Sequence, residues 1–187
     1  MTQTIVPRPI AWVLSLNEDG SHNLAPFSFF NAVCSDPPLL LLSVGKKSDG
    51  SIKDTRRNIA SGRPFVIHIA GVELSEALNN SAAERAYGES ELAGESLALE
   101  EFNGCSLPRL AGCHVAFDCC LHDIHEIGPN QQAMIYAEIK QLYISDEVVE
   151  QKGSRHVIDA AKINPLARLG GANYAELGEF FSLVRPK

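Results

Sequence analysis

The sequence predicts a mainly β protein built as a small barrel, closed or partly closed on itself. Short apolar runs of strand length recur along the chain, turn signals containing Gly, Pro and Asp separate them, and few stretches carry a helical pattern. A parallel nucleotide-binding sheet is disfavoured, and no G-x-G-x-x-G occurs.

Taken in order, Ala11 to Asn17 (AWVLSLN) is apolar and runs into Glu18-Asp19-Gly20-Ser21. Asp-Gly between two apolar runs is a strong hairpin signal, so a second strand is expected from about Asn23 into Phe29. Asp36-Pro37-Pro38 breaks the chain, and Leu39 to Val44 (LLLLSV) reads as a central strand buried on both faces. Ser51 with Asp54 three residues on has the form of a capping box, opening a helix on which Ile52, Thr55, Ile59 and Ala60 share one face and which ends near Ser61-Gly62. Phe65 to Ala70 reads as a strand, Leu74 to Tyr87 as helical, and Gly88 to Gly104 as a surface excursion. From Gly112 to His125 apolar Cys113, Val115, Phe117, Cys119 and Leu121 alternate with the other face, as in a half-buried strand. Ala133 to Ser145 suits another strand, and a last one is expected within Tyr174 to Val184.

The 187 residues, 45% apolar and 21% charged, fit one globular domain over 1–187. A net charge of -7, with no cluster of Lys and Arg, argues against a nucleic-acid surface. Met1 to Ile5 lacks the pattern of a secretory leader, and no run approaches the ~18 apolar residues of a membrane span. A cytoplasmic protein is expected. Cys34, Cys105, Cys113, Cys119 and Cys120 contain no C-x-x-C pair, so reduced thiols are expected.

The most informative polar segment is Gly45-Lys46-Lys47-Ser48-Asp49-Gly50-Ser51-Ile52-Lys53-Asp54-Thr55. Turn amides and helix N-termini attract anions, so a phosphate fits there, with Lys53 supplying charge and Thr55 a hydroxyl. Asp54 is assigned to capping. A solvated turn before an ordinary helix is the alternative reading. The Gly45 and Gly50 spacing has some likeness to a P-loop, but Ser51 stands where its lysine is required. Cys113, His114, Cys119, Cys120, His122 and His125 divide between two strand faces, which reads as packed thiols and surface histidines rather than a metal site. Cys34 and His68 read as core or near-core residues, not as a nucleophile and its base. Asn23 to Asn31 mixes small polar groups with aromatics, which suits a strand packed against a planar ligand, although the residues by themselves favour a core strand with a bulge.

Pro7-Arg8-Pro9-Ile10-Ala11-Trp12-Val13, Asn23 to Phe30, Asp36-Pro37-Pro38, Lys53-Asp54-Thr55 with Asn58-Ile59, and Arg168-Leu169-Gly170-Gly171 resemble, in order and spacing, the flavin reductase-like family of FMN-binding split barrels. The resemblance implies a six-stranded antiparallel split β-barrel of Greek-key type with capping α-helices, usually a homodimer, with FMN near the subunit interface. By position it places Ala25, Pro26, Phe27, Ser28 and Phe29 along the flavin, and Val44, Gly45, Lys53 and Thr55 at the phosphate end. Asn79, Ser81, Arg168 and Tyr174 complete the implied site. The implied activity is hydride transfer from NADH or NADPH to FMN, with electrons passed on to free flavin, oxygen, a flavin-dependent monooxygenase or an electron-transfer partner; no side chain is required as nucleophile and no metal. Two further readings are an FMN-binding electron carrier reduced by a protein partner and a flavin-free ligand-binding barrel. Many reductases of the family carry Gly-Asp-His where this chain has Gly128-Pro129-Asn130-Gln131-Gln132, which sets Gln131 and Gln132 at positions tied to nicotinamide handling. Pro7-Arg8-Pro9 also stands closer to the first residue than the family pattern leads one to expect.

Overall fold

The computed structural model describes residues 1–93 and 97–186. Its main sheet is built from β1 (Ala11–Leu16), β2 (His22–Phe27), β3 (Phe30–Ser35), β4 (Pro38–Val44), β5 (Phe65–Ile69), β6 (Val115–Ile127) and β7 (Gln132–Ile144). Spatially the order is β2-β1-β5-β6-β7-β4-β3, with every neighbouring pair antiparallel. The two edge strands of this sheet, β2 and β3, are consecutive in the chain and joined only by Ser28-Phe29. Two edges tied by so short a link cannot lie at opposite ends of a flat sheet. The sheet therefore curls until its edges meet, giving a barrel with a split between β2 and β3.

This corrects the count of six strands. The run from His22 to Ser35 is interrupted at Ser28-Phe29 and resumes on the opposite edge, so it contributes two strands and the sheet has seven.

The hairpin of β1 and β2 closes as Asp19-Gly20 requires, with Gly20 at φ +86° and Asn17 N–H donating to Ser21 O at 2.8 Å. Side-chain alternation then divides the core. Ala11, Val13, Leu40, Leu42, Val44, Phe65, Ile67, Ile135 and Ala137 meet inside the barrel. Trp12, Leu14 and Val66 point the other way and pack under Leu78, Phe102 and Leu110. β4 is thus buried on one face, through Leu40, Leu42 and Val44, while on the other Leu41 and Ser43 stay half-buried. The first half of β6 is instead buried on both faces, Ala116 as fully as Cys119, before the strand runs out into an exposed hairpin with β7.

Three expected elements differ. Instead of a helix over Leu74 to Tyr87, a 3-10 turn at Val72–Leu74 leads into a short helix, Ser75–Asn80, which stops there because the Ser81 hydroxyl, held by the Trp12 indole, turns back to the Leu78 carbonyl. Gly88 to Gly104 is more than a surface excursion. Glu91 and Phe102 are buried and Leu99–Glu100 pairs with Arg109–Leu110; residues 94–96 of it lie outside the described ones. Finally, among the described residues the strand expected within Tyr174 to Val184 is confined to Tyr174–Ala175, and Phe180, Phe181, Leu183 and Val184 beyond it are exposed. That strand joins Ala167–Arg168 and Arg8–Pro9 in a separate three-stranded sheet.

His68 pins this architecture. Fully buried, it contacts the Trp12 carbonyl through Nδ1 at 3.1 Å and accepts the Leu110 N–H on Nε2 at 2.9 Å, tying β1, β5 and the Arg109–Leu110 strand together. An acceptor role for Nε2 requires the neutral ring with its proton on Nδ1.

Candidate functional site

The closing hydrogen bond of the first hairpin sets which backbone groups of β2 face outward. With Asn17 and Ser21 bonded and Leu14 opposite Leu24, the residues His22, Leu24 and Pro26 turn their N–H and C=O groups to the open edge. Ser90 Oγ takes the His22 carbonyl, and Glu91 Oε2 takes the Leu24 N–H at 2.8 Å. Pro26 has no N–H to offer. The carbonyls of Leu24 and Pro26 remain turned toward a groove along this edge.

The groove has two hollows that share Pro26 and Ala82. The first, about 120 Å³, lies among β2, the 47–55 segment and the strap 81–91, and includes Asn23, Lys47, Lys53, Thr55, Arg85 and Glu91. The second, about 220 Å³, is bounded by Ile10, Ser28, Leu78, Asn79, Arg168 and Tyr174.

Two hydroxyls in the groove differ in what they have left to give. Thr55 Oγ1 is almost fully buried and accepts from Asn23 Nδ2 at 2.8 Å, and no acceptor for its own proton stands among the described residues. Its O–H is therefore free to donate to a ligand. Ser81 Oγ accepts from Trp12 Nε1 at 2.8 Å and donates to the Leu78 carbonyl at 2.8 Å. Its single proton is spent, so it positions the wall rather than donating to a ligand.

The charged groups of the groove are satisfied in different ways. Lys47 Nζ sits 3.0 Å from Asp54 Oδ1 and 3.0 Å from the Arg85 carbonyl. Glu84 accepts from the Ser48 N–H at 3.0 Å and from its hydroxyl, and these bonds hold its carboxyl below the usual carboxylate range. Lys53 lies 5.8 Å from the centre of the Phe27 ring. By contrast, Arg85 Nε and Arg168 Nη1 are buried from solvent with no acceptor among the described residues. Arg168 is further fixed 4.4 Å over the Tyr174 ring, whose hydroxyl donates to Asn79 Oδ1 at 3.0 Å.

The expected capping box does not form. Asp49-Gly50-Ser51 makes its own turn, with Gly50 at φ +84° and Asp49 Oδ1 accepting from the Ser51 N–H and hydroxyl at 2.8 and 2.6 Å. Asp54, buried as the first residue of α1 (Asp54–Ala60), is neutralised by Lys47 instead, and Lys53 takes the N-cap position without a side-chain cap.

Of the residues assigned from the sequence, Ala25, Pro26, Phe27, Lys53, Thr55 and Ser81 border the first hollow, and Pro26, Ser28, Asn79, Arg168 and Tyr174 the second. Phe29 faces an adjoining apolar hollow that shares Ser28. Val44 is buried in the barrel interior, and Gly45 abuts Gln132, where an added Cβ would lie 3.1 Å from Oε1. Gln132 donates to Ser43 Oγ at 2.9 Å, Gln131 Oε1 accepts from Lys46 Nζ at 2.8 Å, and neither borders the groove. Asn23, Lys47, Arg85 and Glu91 were not anticipated. Lys47 lay within the polar loop already singled out, whereas Arg85 and Glu91 sit in no local pattern and reach the groove only through the course of the strap.

Residues 2–165 match the family described as flavin reductase like domain. The uncharacterized protein YwrF of Bacillus subtilis is 37% identical over 191 residues, an overlap spanning 100% of this chain and 91% of that protein. The crystal structure of nitrilotriacetate monooxygenase component B from Bacillus cereus superposes with a TM-score of 0.88 at 33% identity, covering 97% of this chain and 90% of that one. An FMN-binding protein from Thermus thermophilus shares the fold at 16% identity, with a TM-score of 0.74 over 96% of this chain and 92% of its own. With the match spanning most of its length and the same split barrel in its structural neighbours, the chain belongs to the flavin reductase-like family.

Proposed function

We propose that this protein binds FMN in the groove along β2 and acts as an NAD(P)H-dependent flavin oxidoreductase. The observation that carries the reading is that two guanidinium groups without a carboxylate partner among the described residues, Arg85 and Arg168, border one each of the two joined hollows. A ligand with acceptors at both ends suits a groove with a cation at each end. FMN has that form, with a phosphate at one end and the carbonyl-bearing edge of its ring system at the other.

The residues present fit it. Lys53, Arg85 and the Thr55 hydroxyl would hold the phosphate, and charge-assisted bonds of this kind are short and strong. Ala25, Pro26 and Ser28 would lie along the ring system, with the outward carbonyls of Leu24 and Pro26 accepting from a ring N–H. Arg168 would sit beside the ring edge that gains negative charge on reduction, held by Tyr174 so that it needs no reorganisation. Bound FMN supplies the redox chemistry; the chain binds, orients and stabilises charge.

This reading extends to a single cytoplasmic domain over 1–187 acting as a homodimer, with a flavin-dependent monooxygenase as a candidate recipient of electrons. Exposed Phe29, Val33, Phe180 and Phe181 support burial against a second copy. Gln131 and Gln132, standing away from the groove, favour as a second reading an FMN-binding electron carrier reduced by a protein partner. The visible spectrum of FMN-loaded protein before and after anaerobic NADH and NADPH addition tests both. Bleaching of the flavin band supports the reductase, an unchanged band with reduction by a protein donor supports the carrier, and failure to take up FMN refutes the site.

A further inference from the structure

Glu91 is a charged group in the groove that the cofactor reading does not use and that no opposite charge pairs among the described residues. It is 5% exposed, and its placement follows from the strap completing the open edge of β2, where Oε2 accepts the Leu24 N–H. The surrounding charges are Lys47, Lys53 and Arg85 against Asp54, Glu84 and Glu91 itself, with His22 as the titratable side chain of the facing strand. Three positive groups and three negative ones leave the hollow neutral before any ligand arrives.

A doubly charged phosphate entering this hollow makes it strongly negative, and one way to relieve that is to neutralise a carboxylate by protonation. Asp54 is committed to Lys47, and Glu84 to two bonds from Ser48. Glu91 has one backbone N–H and no paired cation within salt-bridge reach among the described residues. We infer that Glu91 takes up a proton when a phosphate-bearing flavin binds, so that it sets the pH range over which the groove holds its cofactor. This rests on the FMN reading and adds a regulation to that site. Burial, first, and then the Asp54 charge push the Glu91 carboxyl above its ordinary range, while the Leu24 N–H and Arg85 act the other way; the group thus starts nearer to protonation than Glu84.

The test is calorimetric titration of FMN, and in parallel riboflavin, into the protein at about pH 7.5, where a phosphate monoester is already mostly doubly charged. Two buffers of different ionisation heat give the protons taken up per ligand. FMN binding should take up a fraction of a proton and riboflavin binding none. Glu91→Gln, whose amide oxygen still accepts from Leu24, should abolish the uptake and tighten FMN up to about tenfold, the equivalent of one pKa unit of coupling. Equal proton counts in wild type and Glu91→Gln overturn the inference. Should that variant not fold, wild type alone decides, since FMN binding without proton uptake overturns it equally. Absence of FMN binding overturns the cofactor reading itself.

Discussion

The contrast between Thr55 and Ser81 gives a sharp test, because both are small hydroxyls on the wall of one hollow and only one has a proton to spare. Thr55→Val keeps the shape and removes the O–H. A hydrogen bond to a charged acceptor contributes ~1.5 to 3 kcal/mol, so FMN should bind about 10- to 150-fold more weakly. Asn23 Nδ2 keeps its contact with Ser15 Oγ at 3.2 Å, so stability should fall by only about 1 kcal/mol. Ser81→Ala reverses the pattern. It leaves the fully buried Trp12 indole N–H without an acceptor, at ~1 to 3 kcal/mol of stability, while FMN affinity stays within about twofold. Quenching of flavin fluorescence reports affinity, urea unfolding reports stability, and riboflavin serves as the phosphate-free control. Equal loss of FMN affinity in both variants would refute the reasoning about free and spent protons, as would Thr55→Val binding FMN like wild type.

Lys53→Ala should weaken FMN by roughly one to two orders of magnitude with little effect on riboflavin; equal effects on the two ligands would place the phosphate elsewhere. His68 gives a pH dependence. Burial, opposed by its bond to the Trp12 carbonyl, pushes the ring down from 6.5 to about 4, so the unfolded chain takes up this proton first. The contribution of His68 is full above about pH 6.5 and is lost as pH falls toward 4, amounting to about 2 kcal/mol already at pH 5. His68→Gln should flatten that dependence in urea unfolding between about pH 7 and about pH 5; parallel curves for the two proteins would exclude the assignment. Trp12 is the lone tryptophan and bonds to Ser81 on the groove wall, so FMN should quench its emission, and unchanged emission at saturation counts against the groove.

What was legible in the sequence is what local chemistry decides. Asp19-Gly20 announced its hairpin, and the apolar runs announced β1, β4, β5 and β7. Most of the residues that the resemblance implies, from Ala25 to Tyr174, border the two hollows. The failures lie where two local partners compete or where distant chain decides. Ser51 had two carboxylates within reach and took Asp49, the one two residues back, since the turn at Gly50 brings it there first. The helical pattern after Leu74 yielded to a tertiary hydrogen bond from Trp12. Arg85 and Glu91 carry no spacing signal, for they act across the groove on strands some 60 residues earlier in the chain, as the Glu91 to Leu24 bond at a separation of 67 shows.

The outward-facing backbone of β2 has a consequence for how a barrel can be left split. An open edge invites strands from other molecules, and its N–H and C=O rows are the template for such pairing. Here the template is interrupted at successive rungs. Side chains of Ser90 and Glu91 occupy the His22 carbonyl and the Leu24 N–H, and Pro26 has no N–H to donate to an incoming strand. The other edge, β3, is kinked by a register shift between Ala32 and Cys34 and stops at Asp36-Pro37-Pro38. A foreign strand therefore finds no long, straight rail on either side of the opening, and the split can face water without becoming a seed for aggregation.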